Sequence, residues 1–296
     1  MDQRIIDLYD RFTHGAVDRR EFMERLARLA GSAGAAAALM PLLANNYARA
    51  ALVAPDDARL AAERVAYPGP DGQVKAYLVK AKAGPAKRPA VIVIHENRGL
   101  NPHIEDVARR LAMEGFLALA ADLLSPMGGT PPANSPADED KAREMIGKLN
   151  ADETVKRLAA AVPYLAGRPD STGTVGAVGF CWGGGMVNQL AAASPGLKAG
   201  VPYYGRQVDA AKAAQIKAAM LLHYAGLDEP INAGIPAYEA ALKSAGVKYE
   251  LHVYEGANHA FNNDTNAARY DKKTADLAWA RTVAFFRKYL GDTKAA

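Results

Sequence analysis

The chain has 296 residues, 50% of them hydrophobic and 23% charged, enough apolar material for one large α/β domain with a substantial core. Its formal net charge of +4 comes from Lys and Arg scattered among Asp and Glu, with no basic stripe, which argues against a nucleic-acid partner. A single cysteine excludes an intrachain disulfide and any Cys-clustered metal centre. No apolar run reaches the roughly 20 residues of a membrane span without polar interruption, the nearest being Ala33 to Ala44.

Two readings compete for residues 1–55. Ile5, Leu8, Tyr9 and Phe12 recur at helical spacing, His14-Gly15 breaks the run, and Asp18 with Glu21 has the spacing of a capping box. Phe22, Leu26 and Leu29 give that second helix its apolar stripe, and Gly31 ends it. The alternative is a twin-arginine export leader: Arg19-Arg20 with Phe22 close behind, an Ala/Gly-rich segment, and Ala48-Arg49-Ala50 as a cleavage site. Glu21 and Glu24 beside the arginines and a patterned helix ahead of them are untypical of a leader. A retained helical arm in a cytoplasmic protein is therefore expected over periplasmic export, and the arm is a candidate for contact between copies in a homo-oligomer.

Residues 56–296 read as the catalytic domain. Arg64 to Tyr67 and Val74 to Val79 flank a Pro-Gly-Pro-Asp-Gly turn and predict an antiparallel hairpin. Ala90 to Ile94 is apolar on both faces, as a buried parallel strand should be. Alternation follows: helix near Ile104 to Met113, strand Phe116 to Ala120, helices near Asp138 to Leu149 and Asp152 to Leu165, and strand Thr174 to Phe180. A helix from Trp182, strand Gly200 to Tyr204, a helix at Ala210 to Lys217 and strand Met220 to Tyr224 come next. Helix Ile235 to Ser244, strand Lys248 to Tyr254 and helix Thr274 to Tyr289 close the chain. Such βα units make a mostly parallel sheet covered on both faces, with the chemistry at the carboxyl ends of the strands. Pro126 to Pro136 reads as a mobile loop near the site.

At the end of one strand, Gly179-Phe180-Cys181-Trp182-Gly183 has the form of a nucleophile elbow with cysteine in the usual serine position. The nucleophile sits on a sharp strand-to-helix turn, and the flanking glycines pass too close to neighbouring backbone for a Cβ. The bland alternative is a glycine-rich turn around a packed, inert thiol. An acid and a histidine should then follow in that order, each after a later strand. Asp228 lies after Met220 to Tyr224, and His259 lies after Lys248 to Tyr254. In this scheme His259 moves the protons and Asp228 fixes its tautomer; a helix-capping role for Asp228, a loop role for His259, or Glu229 as the acid are the alternatives. The oxyanion hole would use the backbone N–H groups of Trp182 and Asn97. His95 and His223 lie at or near strand ends and read as structural, His14, His103 and His252 carry no signal, and no His/Asp/Glu pair shows ligand spacing. No metal and no cofactor are expected.

Gly179-Phe180-Cys181-Trp182-Gly183-Gly184, Ala225-Gly226-Leu227-Asp228, Asn258-His259-Ala260-Phe261 and His95-Glu96-Asn97-Arg98-Gly99-Leu100 together resemble the dienelactone hydrolases, also called carboxymethylenebutenolidases, over about residues 60 to 290. The resemblance implies an α/β-hydrolase fold, no cofactor, and a Cys-Asp-His triad opening an ester or lactone through a thioester acyl-enzyme. It also implies that Glu96 contacts the resting thiol and, being anionic, keeps it protonated until substrate arrives. Two arginines that hold the substrate carboxylate in that family have no counterpart in Asp122 to Gly128 or at Asn262-Asn263. Arg98, Arg206 and Tyr204 are the remaining candidates for substrate contact, and each arginine is equally explained as a surface residue. The expectation is a hydrolase of a small ester, lactone or enol lactone; a thioesterase, another acyl hydrolase, or a non-catalytic binding protein on the same scaffold are the alternatives.

Overall fold

A computed structural model describes residues 1–47 and 51–292; the Ala48-Arg49-Ala50 cleavage-site match lies outside the described residues. Among the described residues, eight strands follow the N-terminal helices: β1 (Leu60–Gly69), β2 (Gly72–Ala81), β3 (Arg88–Ile94), β4 (Leu117–Ala121), β5 (Ser171–Phe180), β6 (Ala199–Tyr203), β7 (Ala219–Ala225) and β8 (Tyr249–Tyr254). They form one sheet in the order β1-β2-β4-β3-β5-β6-β7-β8. The β1–β2 hairpin and the β2–β4 pair are antiparallel, and every pairing from β4 onward through β8 is parallel.

The sheet is apolar on both faces because both are covered. Val91 and Val93 of β3 join one core with Phe116, Val178, Val201, Leu221, Phe285 and Phe286, whereas Ala90, Ile92 and Ile94 join another with Leu158, Leu165, Val187 and Leu190. Alternate residues of one strand thus supply opposite cores, which is why the central strands read as unbroken hydrophobic runs. The covering helices are α4 (Pro102–Met113), α6 (Ala151–Ala166), α7 (Trp182–Ala193), α10 (Ile235–Ser244) and α11 (Lys272–Leu290), with α5 (Pro136–Gly147) and the single turns α8 (Ala210–Ala213) and α9 (Glu229–Asn232) between them. Several starts follow from local sequence: Asn101 accepts from the Ile104 N–H ahead of Pro102, and Asn150 accepts from the Glu153 N–H.

One expectation needs correction here. The helix at Ala210 to Lys217 stops after one turn, because Ile216 and Ala218 leave it to join the core beneath the sheet. The Pro126 to Pro136 segment is anchored: Thr130 donates through its N–H and its hydroxyl to the Asp122 carboxylate at 2.9 and 2.8 Å and accepts from the Leu100 N–H at 2.8 Å.

The arm consists of α1 (Gln3–Thr13), α2 (Arg19–Ala30) and α3 (Ala33–Leu43). Asp18 caps α2 through the Glu21 N–H, and Gly31 ends it at φ 87°, a left-handed conformation that favours glycine. The Ala-rich stretch after Ser32, read from sequence only as a weakly apolar segment, folds as α3. Neither α2 nor α3 is long and apolar enough to cross a membrane, and the two meet at 109°. Ile5, Leu8, Tyr9, Phe12, Phe22, Leu26 and Leu43 form a separate core, in which the rings of Phe12 and Phe22 stack at 4.5 Å.

This arm lies across the catalytic domain. Gln3 donates to the Asn258 side chain at 2.5 Å, Asp10 pairs with Arg269, and the Thr13 carbonyl accepts from Asn97 at 2.7 Å. Arg19, the first arginine of the leader-like pair, is bonded to Asp140 at 2.6 Å, and Asn266 donates to the Leu43 carbonyl at 2.6 Å.

Candidate active site

Cys181 sits between β5 and α7 with φ 56° and ψ −118°, a positive-φ conformation that a side-chain-bearing residue rarely adopts and that costs on the order of 1–3 kcal/mol. The surroundings enforce it. A Cβ on Gly179 would run into the Gly183 backbone, and a Cβ on Gly183 would run into the carbonyls of Ile94 and His95. The Cys181 N–H donates to the Tyr203 carbonyl at 3.0 Å, which ties the turn to the neighbouring strand. The sulfur therefore stands at the carboxyl end of the parallel strands, one residue before a helix N-terminus whose dipole favours an anion.

Asp228 follows β7 and His259 lies in the loop after β8; both are buried, at 8% and 4% exposure. His259 Nδ1 is 2.5 Å from Asp228 Oδ2. A carboxylate can only accept, so Nδ1 carries the hydrogen and Nε2 is left as the base. That Nε2 is buried without a hydrogen-bond partner and lies within 4.8 Å of Cys181 Sγ. The Tyr204 ring packs on His259 at 4.8 Å between centroids. Glu229, the alternative acid, is exposed at the start of α9.

The arm adds a residue for which no sequence signal spoke. His14, just past the end of α1, places Nε2 3.3 Å from Cys181 Sγ, and its Nδ1 is 2.7 Å from the Asp10 carbonyl. A carbonyl only accepts, so Nδ1 again carries the hydrogen and Nε2 faces the thiol. The two imidazole rings meet edge to face at 4.6 Å. Burial pushes the thiol up, but the fields of His259 and His14 and the hydrogen bond with His14 outweigh it and draw Cys181 down to about 6. Burial works against the charged form of His259 too, yet Cys181 and Asp228 hold its pKa well above the ordinary histidine value. A thiolate–imidazolium pair follows from these directions.

Trp182 is the first residue of α7, where the backbone N–H has no acceptor within its own helix, and Asn97 lines the cavity above the thiol. Two other assignments change. Glu96 is buried, accepts from Asn263 Nδ2 at 2.9 Å and has its second oxygen unpartnered; the thiol's hydrogen-bond partner is His14, not Glu96. Arg98 is not placed to meet a substrate: its guanidinium is buried, ion-paired with Glu139 at 2.8 Å and bonded to the Tyr9 hydroxyl at 3.3 Å. It fastens the arm to the domain. Arg206 is exposed and lines the cavity, as does Tyr204. That cavity, about 870 Å³, is walled on one side by Phe12, Thr13 and Gly15 of the arm and on the other by Trp182, Met186 and Gln189 of α7.

Of the other histidines, His95 bridges the Glu96 carbonyl and the Leu123 N–H, and His223 bridges Thr282 and Tyr254. Both are structural. Among the described residues, the donor atoms of His14, Cys181 and His259 all lie within 4.8 Å of one another.

A parallel sheet with a strained nucleophile turn, and an acid and a histidine after the two later strands, defines an α/β-hydrolase. Solved structures agree: a protein of Klebsiella pneumoniae named as a dienelactone hydrolase superposes with a TM-score of 0.69 at 29% identity, over 78% of this chain and 99% of its own. A dienelactone hydrolase-like promiscuous phosphotriesterase from metagenomic libraries gives 0.68 at 26%, over 79% and 100%. The model of the dienelactone hydrolase family matches residues 74–290, and the chain belongs to that family of hydrolases. A protein of Methylorubrum extorquens named for carboxymethylenebutenolidase activity is 34% identical over 250 residues, 80% of this chain and 84% of its own. Residues 1–33 match a separate family model described as YqhI-like.

Proposed function

We propose that this hydrolase cleaves small esters or lactones through a cysteinyl acyl-enzyme, with Cys181 as nucleophile, His259 as general acid and base, and Asp228 as the group that orients His259. The observation that carries the reading is the convergence of His259 Nε2, fixed as the base by Asp228, on the sulfur of a strained elbow at the floor of a cavity.

The thiolate attacks the acyl carbonyl, and the developing oxyanion is met by the N–H groups of Trp182 and Asn97. The tetrahedral species collapses as His259 gives its Nε2 proton to the departing alkoxide, leaving a thioester on Cys181 and a free alcohol. For a lactone the alcohol stays tethered to the acyl group. His259, now neutral, takes a proton from water, whose oxygen attacks the thioester; expulsion of the thiolate releases the acid and restores the ion pair. Before substrate enters, His14 holds the sulfur from the arm side, and the field of two imidazoles, in place of a carboxylate, makes the resting thiol acidic. Of the two candidate arginines, Arg206 at the cavity wall is the one available to a substrate carboxylate.

The test is hydrolysis of a short p-nitrophenyl ester and of a dienelactone, with mass spectrometry of acid-quenched enzyme. Turnover with an acyl adduct on Cys181 is the expected result. Cys181→Ala should abolish both while leaving the fold intact, and Cys181→Ser should keep a weak remnant, since an alcohol of much higher pKa must then be activated. A Cys181→Ala protein as active as wild type would sink the mechanism. A preference for thioesters over oxygen esters of the same acyl chain would move the substrate class to thioesterases.

A further inference from the structure

His14 Nε2, His259 Nε2 and Cys181 Sγ are three donor atoms with one proton to share among them. Each ring has its Nδ1 hydrogen committed to an oxygen, the Asp10 carbonyl at 2.7 Å and the Asp228 carboxylate at 2.5 Å, so both Nε2 atoms are turned to the sulfur. Only the His14 contact closes to hydrogen-bond distance, at 3.3 Å, and His259 Nε2 remains buried and unpartnered. A proton cannot satisfy three such donors. A metal ion can.

We propose that His14, Cys181 and His259 form a zinc site, in which Zn²⁺ takes the catalytic thiolate and reversibly blocks it. The block rests on the reading of Cys181 as nucleophile; the site does not. A thiolate and two neutral imidazoles form a donor set that selects borderline-soft zinc over magnesium or calcium. Tetrahedral zinc with Zn–S of about 2.3 Å and Zn–N of about 2.0 Å places nitrogen and sulfur about 3.5 Å apart. The observed 3.3 Å between His14 and Cys181, with all three donors within 4.8 Å, needs a small ring adjustment to reach that geometry. The two Nδ1 hydrogen bonds are the outer-shell contacts that orient ligating histidines. Binding is balanced by loss to solvent of the one proton that Cys181 and His259 share, and the fourth position opens on the cavity, where a water completes the shell.

The arm is what completes this set, because the catalytic domain by itself offers a cysteine and one histidine. His14 is exposed, so its replacement leaves the arm core intact.

The experiment uses the full-length protein, reduced and freed of metal with a chelator, then titrated with Zn²⁺ in competition with a chromophoric chelator, and separately with Co²⁺. The expected results are one Zn²⁺ per chain and a sulfur-to-cobalt charge-transfer band that is absent in Cys181→Ala. His14→Ala should weaken zinc by at least about tenfold, since loss of an orienting partner alone costs 10- to 100-fold. Ester hydrolysis should fall as zinc is added and return with EDTA, and His14→Ala should need correspondingly more zinc. Absence of stoichiometric binding, or equal affinity in His14→Ala and wild type, would overturn the site. The binding arms need no substrate, so failure of the hydrolase reading and failure of the zinc site are read separately.

Discussion

The Asp228→Asn substitution tests whether the acid sets the tautomer of His259. Asp228 and His259 are 8% and 4% exposed, so no water is placed to replace the 2.5 Å bond between them. An asparagine of the same shape presents either its carbonyl or its NH₂ to Nδ1. In the second case Nδ1 becomes the acceptor, the hydrogen moves to Nε2, and the base facing Cys181 is gone. In the first the tautomer survives but the imidazolium loses its counter-charge. By analogy with serine triads, where the equivalent change costs about 10⁴ in kcat, and allowing for a thiol's greater acidity, kcat/KM for an alkyl ester should fall about 10³-fold, or about 4 kcal/mol of transition-state stabilisation. The assay is steady-state hydrolysis at neutral pH beside the rate of Cys181 alkylation by iodoacetamide, which reports the thiolate directly. Activity within tenfold of wild type would refute the assignment and return Glu229 to consideration.

Other outcomes follow from the same geometry. In chelator-treated enzyme, Cys181 ionises near pH 6 and the thiolate is the active form, so acylation should rise as pH climbs through about 6; with an alkyl ester it should decline only well above 6.5, where His259 loses the proton its leaving group needs. A rising limb centred at 8 to 9 would show an unassisted thiol. Phe22→Ala removes a fully buried ring stacked on Phe12 and should cost about 3–5 kcal/mol, concentrated in the arm; trypsin should then cut at Arg19 and Arg20 while the catalytic domain stays resistant, and unchanged cleavage would show the arm is not a cooperative unit. Protein isolated from its native cells should retain His14 at its proper mass, whereas a mature chain beginning at Ala51 would remove the residue that touches the nucleophile and establish export.

The catalytic domain was legible because its signals are local. Ala90 to Ile94 and Met220 to Tyr224 read as buried strands from their own composition, and Asp228 and His259 each stand a few residues beyond such a run. Gly179 and Gly183 were legible for a steric reason visible in spacing alone. The boundaries failed where tertiary packing overrode periodicity, as at Ile216, which leaves its helix for the core.

What the sequence hid was the partnership between distant side chains. Arg98 has the same neighbours in sequence whether it is free or buried, and its ion-pair partner Glu139 lies 41 residues away. Glu96 matches its position in a family motif, yet its carboxylate is held by Asn263, 167 residues on, in the stretch where the family arginine is missing. His14 is also 167 residues from Cys181, and a histidine before a glycine at a helix end looks like an ordinary cap. One signal pointed past that: Ile5, Leu8, Tyr9 and Phe12 make a stripe that α1 cannot bury alone, so the arm had to fold on itself and onto something larger. Once Asp10, Thr13 and Arg19 are fixed to Arg269, Asn97 and Asp140, the turn between α1 and α2 has nowhere to lie but over the thiol. The arm is thereby a wall of the active site, and whatever displaces it changes both the shape of the cavity and the charge around Cys181.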